Sequence, residues 1–163
     1  MTDDTCQPVS VCRTIEVPAE RLFGLLARPA NHPLIDGSGM LRESSGGVIS
    51  GVGDVFTMKM HNDEMGDYEI ANHVVEYKRN ARIGWEPVLK AASRPEDQDD
   101  IGVPGEHRWT YALTPVGGTS TLVTEIYDCT RAPEWLRKAV KCGSRWIASM
   151  TVTLEKLDAL SRS

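Results

Sequence analysis

Leu136, Val140, Gly143, Ile147, Met150, Leu154 and Leu157 recur near the end of the chain at alternating spacings of four and three. That pattern marks one face of a helix, where residues three and four apart lie above one another. Pro133 suits a first helical position, because its missing N–H would have no intrahelical partner there, and no other proline follows. The spacing therefore predicts one helix from about Pro133 to Leu160, roughly 42 Å long at 1.5 Å per residue. A coiled coil fits less well, since Gly143 makes a poor knob and Thr151-Val152-Thr153 is β-branched where charge is wanted. A single helix lying across a sheet accounts for the stripe. Gly143 then has two readings: close helix–sheet approach or, beside the flexible Met150, room left for a ligand.

The rest of the chain reads mainly as strands. Val9, Val11, Ile15 and Val17 alternate with polar residues to give a first strand over 9–17, interrupted on its apolar side by Arg13. Pro18 opens a helix through Ala27 that buries Leu22, Phe23, Leu25 and Leu26. Residues 31–39 form a bent loop or short helical turn with Leu34 and Ile35 tucked beneath it. Strands are expected at about 41–49, 54–61, 66–78 and 81–86, and their short connections favour an antiparallel meander. Phe56, Met58 and Met60 share one face, while the Val74-Val75 pair leaves the phase of its strand open. Residues 87–105 combine three prolines with Glu96-Asp97-Gln98-Asp99-Asp100 and read as a mobile acidic surface loop. They lack the ligand spacing and central glycine of a calcium loop. A hairpin follows over 106–129. With Gly117-Gly118 as a two-residue turn, Leu113 opposes Leu122, Tyr111 opposes Thr124 and Trp109 opposes Ile126, all facing inward, while Arg108, Thr110, Thr121 and Glu125 face solvent.

At 163 residues with a net charge of -5 and a pI near 5.4, the chain is expected to form one domain over 9–160 after a polar tail at 1–8. The acidic balance argues against a general binder of nucleic acid or anionic membrane, leaving small neutral or cationic partners open. No run of about 18 apolar residues could insert stably in a membrane, and the acidic start is unlike a secretion signal, so the expected location is cytoplasmic. Cys6, Cys12, Cys129 and Cys142 show no C-x-x-C spacing and no nearby paired histidines. Free thiols are expected, and neither a metal site nor a cofactor is implied.

Several motifs, weak singly but specific in their order, carry a resemblance. Arg13-Thr14-Ile15-Glu16-Val17-Pro18-Ala19-Glu20-Arg21-Leu22-Phe23 and His32-Pro33-Leu34-Ile35-Asp36-Gly37-Ser38-Gly39 come first. Val74-Val75-Glu76 with Trp85 and then Trp109-Thr110-Tyr111-Ala112-Leu113-Thr114-Pro115 with Gly117-Gly118-Thr119 follow. Over about 9–158 the chain resembles the START-like, SRPBCC superfamily, in its polyketide cyclase/dehydrase and lipid-transport branch. The resemblance implies an α+β helix-grip fold: a curved seven-stranded antiparallel sheet wrapped around a long C-terminal helix, with two short helices after the first strand.

It also implies a hydrophobic or amphipathic small ligand, lipid-like or polyketide-like, in a cavity between sheet and helix. Candidate ligand-binding residues are Phe56, Met58, Met60, Trp109, Tyr111, Thr124, Ile126, Gly143, Ile147 and Met150, with Trp85 and Trp146 at the margin. A cyclase or aromatase would use the same cavity with an acid or base. His32, Asp36, Ser38, His61, Asp63, Glu64, His107 and Asp128 could serve but form no recognisable constellation; His32 and His61 read as surface histidines. Binding without catalysis is the expectation, with Tyr111 orienting the ligand's polar end.

Overall fold

A computed structural model describes residues 5–90 and 106–163. Its strands are β1 (Val9–Ile15), β2 (Leu41–Ser45), β3 (Val55–Asn62), β4 (Gly66–Lys78), β5 (Arg82–Leu89), β6 (Arg108–Val116) and β7 (Ser120–Asp128). They form one curved antiparallel sheet in the order β1-β7-β6-β5-β4-β3-β2. Strands β2 to β7 are a meander, and β1 closes on β7 from the far end of the chain. Between β1 and β2 lie α1 (Ala19–Leu26), a 3-10 turn (Pro29–Asn31) and α2 (His32–Ile35). After β7 come α3 (Glu134–Ala139), a 3-10 stretch (Lys141–Trp146) and α4 (Ile147–Ser161).

Helix α4 packs on β1, α2 and α1, burying Met150, Leu154 and Leu157. Polar contacts fix its position. Arg13 donates from Nε to Asp158 Oδ2 at 2.8 Å, and Arg162 Nε donates to Oδ1 at 2.6 Å. Burial works to raise the Asp158 carboxyl, but these hydrogen bonds outweigh it and hold the group below its ordinary value. The arginine that interrupts the apolar phase of β1 is thus the anchor for the last helix. At the middle of α4, Gly37 N–H donates to Thr153 Oγ1 at 2.9 Å. A Cβ at Gly37 would collide with Ser149 O, so the loop approaches the helix backbone as only glycine allows.

The predicted single helix is interrupted. Lys141, Cys142 and Gly143 take φ of +52°, +54° and +92°, dividing the segment into α3, the 3-10 stretch and α4. Two contacts hold the break. Cys142 is disulfide-bonded to Cys6, contrary to the expectation of free thiols, and a Cβ on Gly143 would lie 2.9 Å from both Tyr127 Cδ2 and Val9 Cγ2. Gly143 therefore serves close backbone approach to the β1–β7 edge of the sheet. Within the expected polar tail, Cys6 is buried and tethered by the disulfide while Thr5, Gln7 and Pro8 are exposed, and residues 1–4 lie outside the described residues.

The late hairpin also differs by one residue. Val116 pairs with Ser120, so the loop is Gly117-Gly118-Thr119, and Leu113, Tyr111 and Trp109 oppose Val123, Glu125 and Tyr127. A one-residue slip exchanges the faces of a strand. Thr121, Val123, Glu125 and Tyr127 point inward, while Leu122, Thr124 and Ile126 lie on the outer face. Thr110 is buried as well, on the outer face, where its hydroxyl donates to Glu76 Oε2 at 2.6 Å. The Val74-Val75 ambiguity has a cause in the structure: the register shifts between Val74 and Glu76, a bulge that leaves Val74 inward. Strand β5 continues through Leu89, beyond its pairing with β6, which ends at Trp85 with Trp109. Pro87 therefore owes no N–H to β6. The remainder of the expected acidic loop, 91–105, lies outside the described residues.

Candidate functional site

Inward-facing side chains of β3 to β7, with α1, α2 and α4 over them, form two linked clusters. The larger holds Phe56, Met58, Trp85 and Tyr111 together with Leu154 and Leu157 of α4, with Met60 packed at its margin. The smaller gathers Tyr127, Met150, Val140 and Cys6, with Trp146 beside them. Trp109 touches both and stands 4.5 Å from Tyr127 and 6.1 Å from Trp146 between ring centroids. Of the residues proposed from sequence, Phe56, Met58, Met60, Trp85, Tyr111, Trp109, Met150 and Trp146 are brought into this interior. Gly143 abuts it at Tyr127. Thr124 and Ile126 are on the opposite face of the sheet, and Ile147 is 42% exposed.

The larger cluster contains a run of rings. His32 stacks on Trp85 with centroids 5.1 Å apart and 18° between planes, and meets Phe56 edge-on at 5.2 Å. Phe56 meets Trp85 at 5.2 Å, and Trp85 meets Tyr111 at 5.9 Å. His32 is 3% exposed, where a surface position was expected. The turn Pro29–Asn31 explains this, because it folds α2 back so that His32 Nε2 donates to Leu26 O at 2.8 Å. Burial pushes the imidazole down to about 4, the Leu26 carbonyl opposing, so at neutral pH the ring is uncharged. With Nε2 carrying the proton, Nδ1 is an acceptor, and it is buried without a partner.

At the far end of the run, the Tyr111 hydroxyl donates to Glu125 Oε1 at 3.0 Å. Glu125 is 4% exposed, and its Oε2 is likewise buried without a partner. Burial raises the carboxyl to about 8, with the Tyr111 hydrogen bond pulling down and the Asp36 charge adding to the rise. At neutral pH it is mostly a protonated acid, able to donate as well as accept. Tyr111 is pushed well above its ordinary value by burial and by the neighbouring Glu125 charge. Beyond Phe56, its cross-strand neighbour Asn72 is fully buried with both side-chain polar atoms unpartnered. Sequence reasoning missed Asn72 altogether and sent Glu125 to solvent. The correct hairpin register would have revealed Glu125, and strand alternation with Phe56 would have revealed Asn72.

The other titratable candidates lie elsewhere. Asp36 organises its own loop, accepting from Ser38 N–H and from Leu41 N–H, both at 3.1 Å. His61 pairs with Asp67 at the surface. His107 Nδ1 is 2.8 Å from the Tyr127 hydroxyl, and burial pushes this imidazole down to about 4. It borders a polar recess of about 100 Å³ with Glu86, Arg108, Asp128 and Arg131, remote from Tyr111 and Glu125 in the sheet register. Among the described residues no group of His, Cys, Asp and Glu is placed to hold a metal ion, and no helix is long and apolar enough to cross a membrane.

A curved sheet closed around one terminal helix, with α1 and α2 inserted after the first strand, is shared with solved proteins over nearly the whole chain. Protein NE0264 from Nitrosomonas europaea is 15% identical, with 99% of this chain and 97% of that one aligned at a TM-score of 0.67. The di-domain ARO/CYC BexL from the BE-7585A biosynthetic pathway is 16% identical, with 96% of this chain and 48% of that one aligned at a TM-score of 0.63. The fold is a helix-grip, a curved seven-stranded antiparallel sheet around a C-terminal helix. No family model matches the sequence. An uncharacterised Mycobacterium tuberculosis protein, Rv0088, is 32% identical over 126 residues, covering 74% of this chain and 48% of that protein. The chain thus spans about half the length of this curated relative. Within the helix-grip frame, the ring run and its three polar residues lie on the concave side of the sheet, toward α4.

Proposed function

We propose that this helix-grip protein binds a hydrophobic or amphipathic small molecule, lipid-like or polyketide-like, between the sheet and α4. One observation carries the reading: His32 Nδ1, both polar atoms of Asn72 and Glu125 Oε2 are buried without protein partners among aromatic rings. A buried polar group left unpaired costs about 1–3 kcal/mol. Four such atoms in one interior are more than packing alone accounts for, and a ligand with an apolar body and a hydroxyl or carbonyl end would satisfy them. Native mass spectrometry of the protein as purified tests for a bound small molecule, and titration with an apolar fluorescent probe supplies an affinity. Tyr111→Phe is expected to weaken binding by about 0.5–1.5 kcal/mol, the net value of a neutral hydrogen bond. Unchanged affinity in both Tyr111→Phe and Asn72→Leu would place the ligand elsewhere.

A second reading, a polyketide cyclase or aromatase using the same interior, is supported by the likeness to BexL and by the Tyr111–Glu125 pair. A carboxylic acid with a pKa near 8 in an apolar surround is suited to proton transfer at neutral pH. Saturable turnover of a poly-β-keto substrate that falls at least a hundredfold in Glu125→Gln would establish catalysis. Binding without turnover leaves the carrier reading in place.

A further inference from the structure

The overall acidity of the chain conceals a local reversal. Between Glu134 and Ile147 there are four basic residues and one acidic, a charge of +3 within a chain of -5, which leaves -8 on all the other residues. The structure sorts this segment into two faces. Leu136, Val140, Gly143 and Trp146 turn inward onto the Tyr127 cluster. Lys138, Lys141 and Arg145 are exposed, Lys138 in an ion pair with Glu134 at 2.9 Å, and Arg137 is half-buried. Trp135 at one end of this face is 54% exposed, and Ile147 at the other is 42% exposed. The face is built, not loosely draped. Cys142 at its centre is disulfide-bonded to Cys6, and Arg145 reaches back to donate to Ala139 O at 3.3 Å while lying 5.5 Å from the centroid of the Trp146 ring.

We propose that the segment Glu134–Ile147 is a docking surface for an anionic lipid bilayer. Trp135 and Ile147 enter the headgroup layer, and Arg137, Lys141 and Arg145 meet lipid phosphates. Tryptophan belongs at such a boundary, where its ring is apolar and its N–H is wet. Each lysine or arginine near an anionic leaflet strengthens binding by about fivefold, and two apolar anchors make association local and reversible, far short of spanning. The apolar ends favour a bilayer over a nucleic acid, whose phosphate backbone offers them nothing to enter. This surface is independent of what the interior binds.

The oxidised 163-residue chain is mixed with phosphatidylglycerol-rich vesicles or with pure phosphatidylcholine vesicles, and the bound fraction is read by co-sedimentation. Binding is expected to the anionic vesicles only, to fall at high salt, and to drop at least tenfold in Arg137→Glu/Lys141→Glu. With brominated lipid, tryptophan quenching should appear in the wild type and fall by at least half in Trp135→Phe, a replacement that keeps an aromatic ring at an exposed site. Equal binding to both vesicle types, an unchanged affinity in the charge-reversed variant, quenching undiminished in Trp135→Phe, or binding to duplex DNA in place of vesicles would overturn the proposal.

Discussion

The bond between Cys6 and Cys142 ties the segment before β1 to the kink before α4 across 136 residues of sequence. Closing a loop of that length removes chain entropy from the unfolded state, about 5 kcal/mol at 25 °C in the chain-entropy model. Part of this is offset in the folded state. Cys142 is a non-glycine residue with positive φ, costing about 1–2 kcal/mol, and its release lets that strain relax. Reduction is therefore expected to lower stability by about 3–4 kcal/mol, a large share of the 5–15 kcal/mol typical of a domain. Urea unfolding of oxidised protein, reduced protein and the Cys6→Ser/Cys142→Ser variant measures it, and the last two should coincide. The oxidised form should also show a smaller m-value, because its unfolded chain stays more compact. Thiol titration is the accompanying check: Cys12 is exposed and should react in the native state, Cys129 is buried and should react only on unfolding, and no further thiol should appear. Four reactive thiols in the unfolded, unreduced protein, or a loss below about 1 kcal/mol on reduction, would refute the argument. Because cytosolic thiols are ordinarily kept reduced, the same measurement bears on the expected cytoplasmic location.

Three buried groups set the dependence of stability on pH. His32 and His107 lie near 4 when folded against an ordinary 6.5, so the unfolded state holds more protons between those values and stability rises with pH across that window. Glu125 does the opposite, near 8 when folded against an ordinary 4.5, so its contribution falls as pH rises from about 4.5 to 8. Above 6.5 only Glu125 still titrates, and stability should decline by about 1.4 kcal/mol per pH unit up to about 8. Urea midpoints should thus peak near pH 6.5, and Glu125→Gln should flatten the descending limb; a wild-type profile flat from 6.5 to 8 would mean Glu125 is not held as its burial implies. Gly143→Ala should cost about 2–4 kcal/mol, from its left-handed φ and from overpacking against Tyr127 and Val9. Near-wild-type stability in that variant would mean that the kink is not seated on Tyr127.

Element order, antiparallel meander and terminal helix were all legible, because each follows from periodicity over many residues. The inner face of β3 was legible for the same reason: Phe56, Met58 and Met60 alternate without interruption. Legibility failed where one residue decides the outcome. A Gly-Gly pair accommodates a two-residue or a three-residue loop, and choosing the former moved Thr124 and Ile126 inward and Glu125 out. The alternative register put Thr121 and Glu125 inside, two polar residues that a purely apolar criterion rejects. In the structure Thr121 donates to Val17 O at 2.8 Å and Glu125 accepts from Tyr111, and partners so distant in sequence cannot be read from local pattern. The Cys6–Cys142 pair is invisible for the same reason, since spacing motifs report neighbours in sequence and this bond joins the two ends of the domain.

The interrupted helix shows what a hydrophobic period does and does not report. Val140, Gly143, Met150, Leu154 and Leu157 are all buried as the stripe requires, and Leu136 is partly so, yet the backbone that carries them is not one helix. A four-and-three spacing states which residues meet the sheet. It does not state that the residues between them are helical. Lys141, Cys142 and Gly143 turn left-handed and reset the phase, and the slip falls at Ile147, the member of the stripe that emerges into solvent. The sequence carries a stop signal at this point, a glycine shortly after a turn ending in Arg137 and Lys138, which suits a helix C-terminus. Breaking the helix turns Leu136, Val140 and Trp146 onto Tyr127 and leaves Trp135, Lys141, Arg145 and Ile147 outward. The basic face thus follows from the same three residues that defeat the continuous helix, and a net charge summed over the chain could not have disclosed it.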